Sequence, residues 1–248
     1  MHLTLNRPKS FNALDRDVVK LLSQHLINLA SDPQVIGVVI SGEGKAFCAG
    51  GDLRWVRDQG DNYGAALHEL TADFHQSISE IRRMPKPVVA ALNGMAAGGG
   101  FSLALACDFR IMEASAVLVQ AYTSRGLSID GGGTFTLPRL VGLARSMEII
   151  AFDMPIESEK AQAWGLVTEI VEDGDSVKRA FEMLKEVKKV SLNSFAASKK
   201  LITDSFDTTF ESQLEKEREL MSWCSDQPDG REGIAAFLEK RKPVFGGD

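Results

Sequence analysis

Gly42-Glu43-Gly44-Lys45-Ala46-Phe47-Cys48-Ala49-Gly50-Gly51-Asp52-Leu53 and Asn93-Gly94-Met95-Ala96-Ala97-Gly98-Gly99-Gly100-Phe101-Ser102 share one layout: each follows an apolar run and leads into a helical pattern. The preceding runs, Val35-Ile36-Gly37-Val38-Val39-Ile40 and Val88-Val89-Ala90-Ala91-Leu92, are short and apolar at consecutive positions, which suits strands of a sheet covered on both faces. Glycine lets the backbone approach a ligand and take up positive φ, and a helix N-terminus offers unpaired N–H groups and a positive dipole end. Two such loops can converge on one oxygen. The same glycines also suit a purely architectural role, permitting tight turns and close helix–strand packing. Neither stretch has the Walker spacing G-x-x-x-x-G-K-[ST] or a well-placed G-x-G-x-x-G, which disfavours a nucleotide cradle.

Working outward, Asp15 can cap a helix carrying Val18, Leu21, Leu22, Leu26 and Leu29 on one stripe. A second amphipathic helix is predicted from about Gly64 to Arg83, stopped by Met84-Pro85-Lys86-Pro87. Further short strands are expected at Phe109–Ile111, Val117–Gln120 and Val167–Val171, so the first two thirds read as repeated β-α units. From about Asp175 helical periodicity dominates, through Phe181, Leu184 and Val187, then Phe195 to Ile202, Phe210 to Trp223 and Ile234 to Leu238. We divide the chain into a core over residues 1–185 and a helical region over 186–248. No low-complexity segment or long polar linker intervenes, so the helical tail is expected to pack on the core or on a neighbouring subunit. The chain opens directly in a strand-like segment before Asn6-Arg7-Pro8, with the partner strand expected ahead of it absent or supplied elsewhere.

At 248 residues, 44% hydrophobic and 25% charged, the sequence is that of an ordinary globular protein able to bury a core. A net charge of -6 and a pI of about 5.4 leave no general basic field for a nucleic-acid backbone or an anionic membrane, so an anionic ligand must be held by local groups. Cys48, Cys107 and Cys224 are widely spaced and odd in number, which fits reduced thiols better than a disulfide framework. No apolar run approaches the roughly 18 residues of a bilayer span, and Met1 to Leu5 lack the features of a signal peptide. A cytoplasmic protein is expected. His68 and His75 share a helix face near Glu69 and Asp73, weak material for a metal site, and a surface or core-edge role is expected of them. No metal is expected.

Specific motifs then accumulate. Asn6-Arg7-Pro8 with Asn12-Ala13-Leu14, Lys45 to Leu53, and Lys86-Pro87-Val88-Val89-Ala90-Ala91-Leu92-Asn93-Gly94 resemble signatures of the enoyl-CoA hydratase/isomerase (crotonase) family, in family order. Ala97-Gly98-Gly99-Gly100, Cys107-Asp108-Phe109-Arg110, Leu137 to Gly142, Ala161 with Gly165-Leu166-Val167, and Phe237 to Arg241 extend the resemblance to nearly the whole chain. It implies an α/β fold, a crotonase-like spiral of ββα units with a helical C-terminal trimerisation region, that binds coenzyme A thioesters as a homo-trimer or dimer of trimers. Coenzyme A enters as part of the substrate, and no other cofactor is implied. By position, Gly51 and Gly99 would supply the two N–H donors of an oxyanion hole. Losing one donor from a comparable hole costs about 3 kcal/mol. Lys45, Ala46, Ala49, Asp52 and Leu53 match positions around the CoA adenine, and Asp52 serves equally well as a helix cap. Phe237 and Lys240 match positions that reach the CoA of a neighbouring subunit, although Lys240 also suits a solvated helix charge.

Hydratases of this family use two glutamates, and here their positions fall on Ser102 and Tyr122, neither of which is a carboxylate base. A carboxylate stands eight residues beyond Tyr122, at Asp130 in Ser128-Ile129-Asp130-Gly131-Gly132-Gly133-Thr134. It resembles the aspartate of ring-type enoyl-CoA and dienoyl-CoA isomerases, and also the nucleophilic aspartate of the 4-chlorobenzoyl-CoA dehalogenases. For an isomerase one carboxylate suffices, since it can take a proton from one carbon of the acyl chain and return it to another. Without the resemblance, Asp130 would read as an Asx turn or N-cap before a helix at Thr134. Tyr122 can donate a hydrogen bond, shape the substrate-binding pocket or fill the space of a missing glutamate, and filling is favoured. Ser102 is expected to be inert, with no G-x-S-x-G elbow around it. Cys48 is assigned to packing. Double-bond isomerisation leads, ahead of hydration or aspartate-dependent displacement, and ahead of a catalytically weak thioester-binding subunit. RNA binding is disfavoured by the acidic charge and the lack of an aromatic-basic pattern.

Overall fold

The computed structural model describes residues 1–246. Strand β1 (His2–Leu5) precedes helix α1 (Arg16–Ser31), β2 (Val38–Gly42) and β3 (Ala46–Cys48); α2 (Leu53–Asp58) and α3 (Tyr63–Arg83) follow. The pattern repeats as β4 (Val88–Leu92), β5 (Met95–Ala97) and α4 (Gly99–Ala106), then β6 (Phe109–Glu113), β7 (Val117–Val119) and α5 (Gly133–Phe152). Short elements β8 (Ile156–Glu157), α6 (Ser158–Ala163) and β9 (Glu169–Val171) lead to helices α7 (Ser176–Val187), α8 (Leu192–Asp204), α9 (Phe210–Asp226) and α10 (Pro228–Leu238).

Each ββα turn gives its first strand to one sheet and its second to another. The larger sheet runs β1-β2-β4-β6-β9, parallel throughout, with Val38 opposite Val88 and Val89 opposite Phe109. The smaller runs β3-β5-β7-β8, antiparallel only at β8. This is the ββα spiral implied by the resemblance. The partner of the opening strand is supplied by β2.

The doubly apolar strands are explained by what lies on each face. Val38, Ile40, Val88, Ala90 and Leu92 pack with residues of α1, α3 and α4, while the alternate Val39, Val89, Ala91 and Ile111 pack on Ala180, Met183 and Leu184 of α7. Some boundaries move. Val35 is buried, yet its N–H bonds to the carbonyl of Asp32 in a turn, so residues 35–37 lie outside β2. Strand β7 stops at Val119 because Ala121 adopts a φ of 53°. Val167 is buried but precedes β9. In α1 the buried stripe is Val19, Leu22, Leu26 and Leu29, and Leu21 faces outward at 59% exposure. Gly142, with φ 76° and ψ 167°, interrupts α5.

Helix α8 is pinned to the core by Lys199, whose Nζ donates to the carbonyls of Ile81 (2.9 Å) and Lys86 (3.2 Å) and to Asp108 Oδ2 (2.7 Å). Helices α9 and α10 bury little, and carry Phe210, Met221, Phe237 and Leu238 each more than 70% exposed. No helix among the described residues is long and apolar enough to cross a membrane.

Candidate active site

The signature asparagines are scaffolding. Asn12, buried with a φ of 57°, donates through Nδ2 to the carbonyls of Glu43 (3.0 Å) and Ala46 (2.7 Å) and accepts from the N–H of Arg7 (2.9 Å). Asn93 accepts from the N–H of Gly42 (2.9 Å) and donates to the carbonyl of Gly44 (3.0 Å). The loop joining β2 to β3 is thus stapled from both sides.

Asp52 caps α2. Its Oδ1 accepts from the N–H groups of Arg54 (3.1 Å) and Trp55 (3.3 Å), and its Oδ2 pairs with Arg7 Nη2 at 3.0 Å. The same guanidinium reaches Asp15 Oδ2 at 3.1 Å, so Arg7 ties together the caps of α1 and α2. Burial pushes the Asp52 carboxyl up, but the Trp55 N–H and Arg7 more than offset it and leave the group below its ordinary range. These contacts match the capping alternative for Asp52.

The two glycine loops meet. Gly50, at φ 90°, is so close to the second loop that a Cβ there would lie 2.8 Å from the Ala97 carbonyl oxygen and 2.9 Å from the Gly99 nitrogen. A parallel bridge between Leu14 and Gly51 uses the Gly50 carbonyl and the Asp52 N–H (2.7 and 2.8 Å), which turns the Gly51 N–H away from Leu14. Gly99 is the first residue of α4, where an N–H has no intrahelical acceptor. Both residues line one cavity of about 430 Å³, together with Ala49, Leu53, Tyr122 and Asp130. Lys45, Ala46, Asp52, Phe237 and Lys240 do not line it; Phe237 is 81% exposed, and Lys240 sits in the left-handed region at φ 55° in the C-terminal segment.

Asp130 caps no helix with its side chain; Gly132, in the left-handed region, is the N-cap of α5. Instead its Oδ1 accepts from the Tyr122 hydroxyl, and the side chain is 25% exposed to the cavity. Burial raises the carboxyl above its usual range, against the opposing influence of the Tyr122 hydrogen bond and of His75. Burial, and then the Asp130 charge, likewise push the Tyr122 phenol up, so it remains a donor. Tyr122 is therefore more than a filler. Ser102, fully buried, donates to the Asp130 backbone carbonyl at 2.8 Å and lies 3.3 Å from the Tyr122 hydroxyl, a structural contact rather than a nucleophile's setting. Both glutamate positions hold residues that brace Asp130.

His75 was missed. Its Nε2 accepts the Gly131 N–H at 3.1 Å and lies 4.0 Å from Asp130 Oδ2, so the ring fixes the turn carrying the carboxylate. That bond spans 56 residues of sequence, and only the helical register of α3 hinted at it. His68 has no such role: its backbone carbonyl accepts from Thr71 Oγ1. Cys48 is buried, its thiol pushed up to about 12 by desolvation, in keeping with packing. No cluster of three metal-ligating side chains exists among the described residues.

Residues 1–248 match the family described as enoyl-CoA hydratase/isomerase. The chain is 33% identical over 251 residues to the 1,2-epoxyphenylacetyl-CoA isomerase of Escherichia coli (strain K12), covering 100% of this chain and 95% of that protein. It is 38% identical over 245 residues to a probable enoyl-CoA hydratase of Rhodobacter capsulatus, covering 99% and 93%. The crystal structure of an enoyl-CoA hydratase from Polaromonas sp. JS666 superposes with a TM-score of 0.92 at 37% identity, covering 98% of this chain and 95% of that one. With its whole length matched, its spiral shared and its two glycine loops facing one cavity, the chain belongs to the enoyl-CoA hydratase/isomerase family, whose substrates are acyl-CoA thioesters.

Proposed function

We propose that this protein is an enoyl-CoA double-bond isomerase in which Asp130 moves the proton. The observation that carries the reading is that Asp130 is the single carboxylate among the described residues lining the cavity, with serine and tyrosine braced against it where two glutamates would stand. Its Oδ1 is engaged by Tyr122, while its Oδ2, 4.0 Å from His75 Nε2, accepts no hydrogen bond among the described residues.

In this mechanism the thioester carbonyl oxygen accepts from the N–H groups of Gly51 and Gly99. Asp130 Oδ2 takes a proton from C2 of a 3-enoyl-CoA, and the C–H electron pair enters the conjugated system to give a dienolate. The negative charge collects on the oxygen held by the two donors, worth about 3 kcal/mol each in comparable sites. The protonated carboxyl then delivers its proton to C4, the electrons return, and the double bond comes to rest between C2 and C3. No water is consumed, and coenzyme A travels with the substrate as the only cofactor. A raised carboxyl pKa suits this cycle, because the group must both accept and release a proton. Ala49 and Leu53 on the cavity wall contact the bound thioester. Lys45 and Ala46 meet its nucleotide at the rim, and Phe237 and Lys240 reach that of a neighbouring copy.

The test is turnover of 3-hexenoyl-CoA, ring-unsaturated thioesters and crotonyl-CoA in water enriched in heavy oxygen, by the wild type and by Asp130→Asn. We expect double-bond migration without label in the product, reduced on the order of 10²- to 10⁴-fold in the variant. Labelled 3-hydroxyacyl-CoA as the main product would make the protein a hydratase. Binding without turnover would make it a thioester-binding subunit.

A further inference from the structure

We propose that Arg125 selects acyl groups with an anionic end, so that the substrate is a carboxyacyl-CoA rather than a plain hydrocarbon thioester; this rests on the isomerase reading for where the acyl chain lies. Arg125 closes the short turn Thr123–Arg125, between Tyr122 and Asp130 in sequence. The turn is fixed: the N–H groups of Arg125 and Leu127 both return to the Tyr122 carbonyl (2.9 and 3.0 Å), and Gly126 adopts a φ of 71°.

The chemistry of the cavity makes this residue stand out. Its walls are mostly hydrocarbon, from side chains such as Leu67, Leu70, Phe74 and Leu127, and among the described residues lining it only Asp130 and Arg125 carry a formal charge. The two do not cancel. Arg125 makes no ion pair with a described carboxylate; its side chain donates to the neutral hydroxyl of Ser124 at 2.6 Å. The side chains that meet the Asp130 carboxylate are Tyr122, through its hydroxyl, and His75, with Nε2 4.0 Å from Oδ2. The guanidinium is therefore left without a carboxylate partner among the described residues.

Arg125, itself solvent-exposed, lines the same cavity as Asp130 from the segment 121–130, and an acid/base must face the carbons of the acyl chain. A hydrocarbon tail beside a guanidinium gains nothing and strips its water, whereas a carboxylate meets it with paired, charge-assisted hydrogen bonds. With a net charge of -6 the protein offers no general attraction for a second anion, so such a group needs this local cation. The phosphates of coenzyme A are the other anions within the same ligand, and the experiment separates them.

Binding constants of glutaryl-, adipoyl- and suberoyl-CoA are measured against pentanoyl-, hexanoyl- and octanoyl-CoA for the wild type, Arg125→Leu and Arg125→Lys. The same pairs are repeated as S-acyl pantetheines, which lack the nucleotide phosphates. We expect at least one carboxyacyl ligand to bind about tenfold or more tightly than its hydrocarbon counterpart. The preference should persist in the pantetheine series, collapse in Arg125→Leu and survive in part in Arg125→Lys. Equal affinities at every length would overturn the proposal, as would a loss in Arg125→Leu that falls alike on both members of each pair. None of these ligands has a double bond to move. Failure of the isomerase reading would show instead as absent turnover of 3-hexenoyl- and 3-hexenedioyl-CoA, whatever the binding preference.

Discussion

Tyr122 and Asp130 form a pair whose ionisation is set by opposing effects. Burial raises the carboxyl, while the phenol hydrogen bond favours its charged form and holds it partway down. The consequence for pH has a definite sign. A base acts when ionised, so kcat/KM should be sustained above the raised carboxyl pKa and fall as pH drops through it. In Tyr122→Phe the favourable hydrogen bond is lost, the carboxyl rises further, and the acidic limb of the kcat/KM profile should move to higher pH. An unmoved limb would show that Asp130 is not the titrating base. Sequence reading located Asp130 and Tyr122 but treated them separately, since an eight-residue separation does not reveal that a hydroxyl meets a carboxylate. The brace from His75 was less legible still, because Gly131 reaches it only after α3 folds across the site.

The two glycine loops work through the distance between their backbones. Gly50 allows β3 and the start of α4 to approach until no Cβ fits between them, and its positive φ adds strain for any other residue. Gly50→Ala should therefore cost at least about 2 kcal/mol of stability in denaturant unfolding. Gly51→Ala should cost much less, because a Cβ there would have only Leu70 Cδ2, at 3.8 Å, as a near neighbour. Equal losses would mean that Gly50 is not a close-approach position. Strands and helices were legible because burial on both faces, period and capping residues act locally, whereas the asparagine motifs stood out only through the family resemblance. Element ends were less so: Val35 is apolar for the core yet lies in a turn, and Leu21 sits beside the α1 stripe rather than on it.

At the scale of the whole molecule, the spiral leaves α9 and α10 with apolar side chains turned to solvent, Phe210, Met221, Phe237 and Leu238 among them. Isolated exposed leucines need no explanation, but a concentration on two helices marks a surface that other protein covers. We propose that copies of the chain cover it as a trimer or a dimer of trimers. Light scattering after size exclusion should give three or six times the 27.0 kDa chain mass, and Phe237→Asp should shift it downward. A monomer in the wild type would remove this reading. The sequence by itself determined repeated β-α units and two glycine loops, because hydrophobic period and glycine spacing are written over a few consecutive residues, while the ββα spiral and the candidate oxyanion glycines came through the resemblance of its motifs to the crotonase family. Only the tertiary structure decided that Ser102, Tyr122 and His75 brace Asp130, that Asp52 holds a helix cap with Arg7, and that Arg125 is the one cation on the cavity wall among the described residues. Those contacts join segments far apart in the chain, and their distances are set by how α3, the 121–130 turn and α4 pack together.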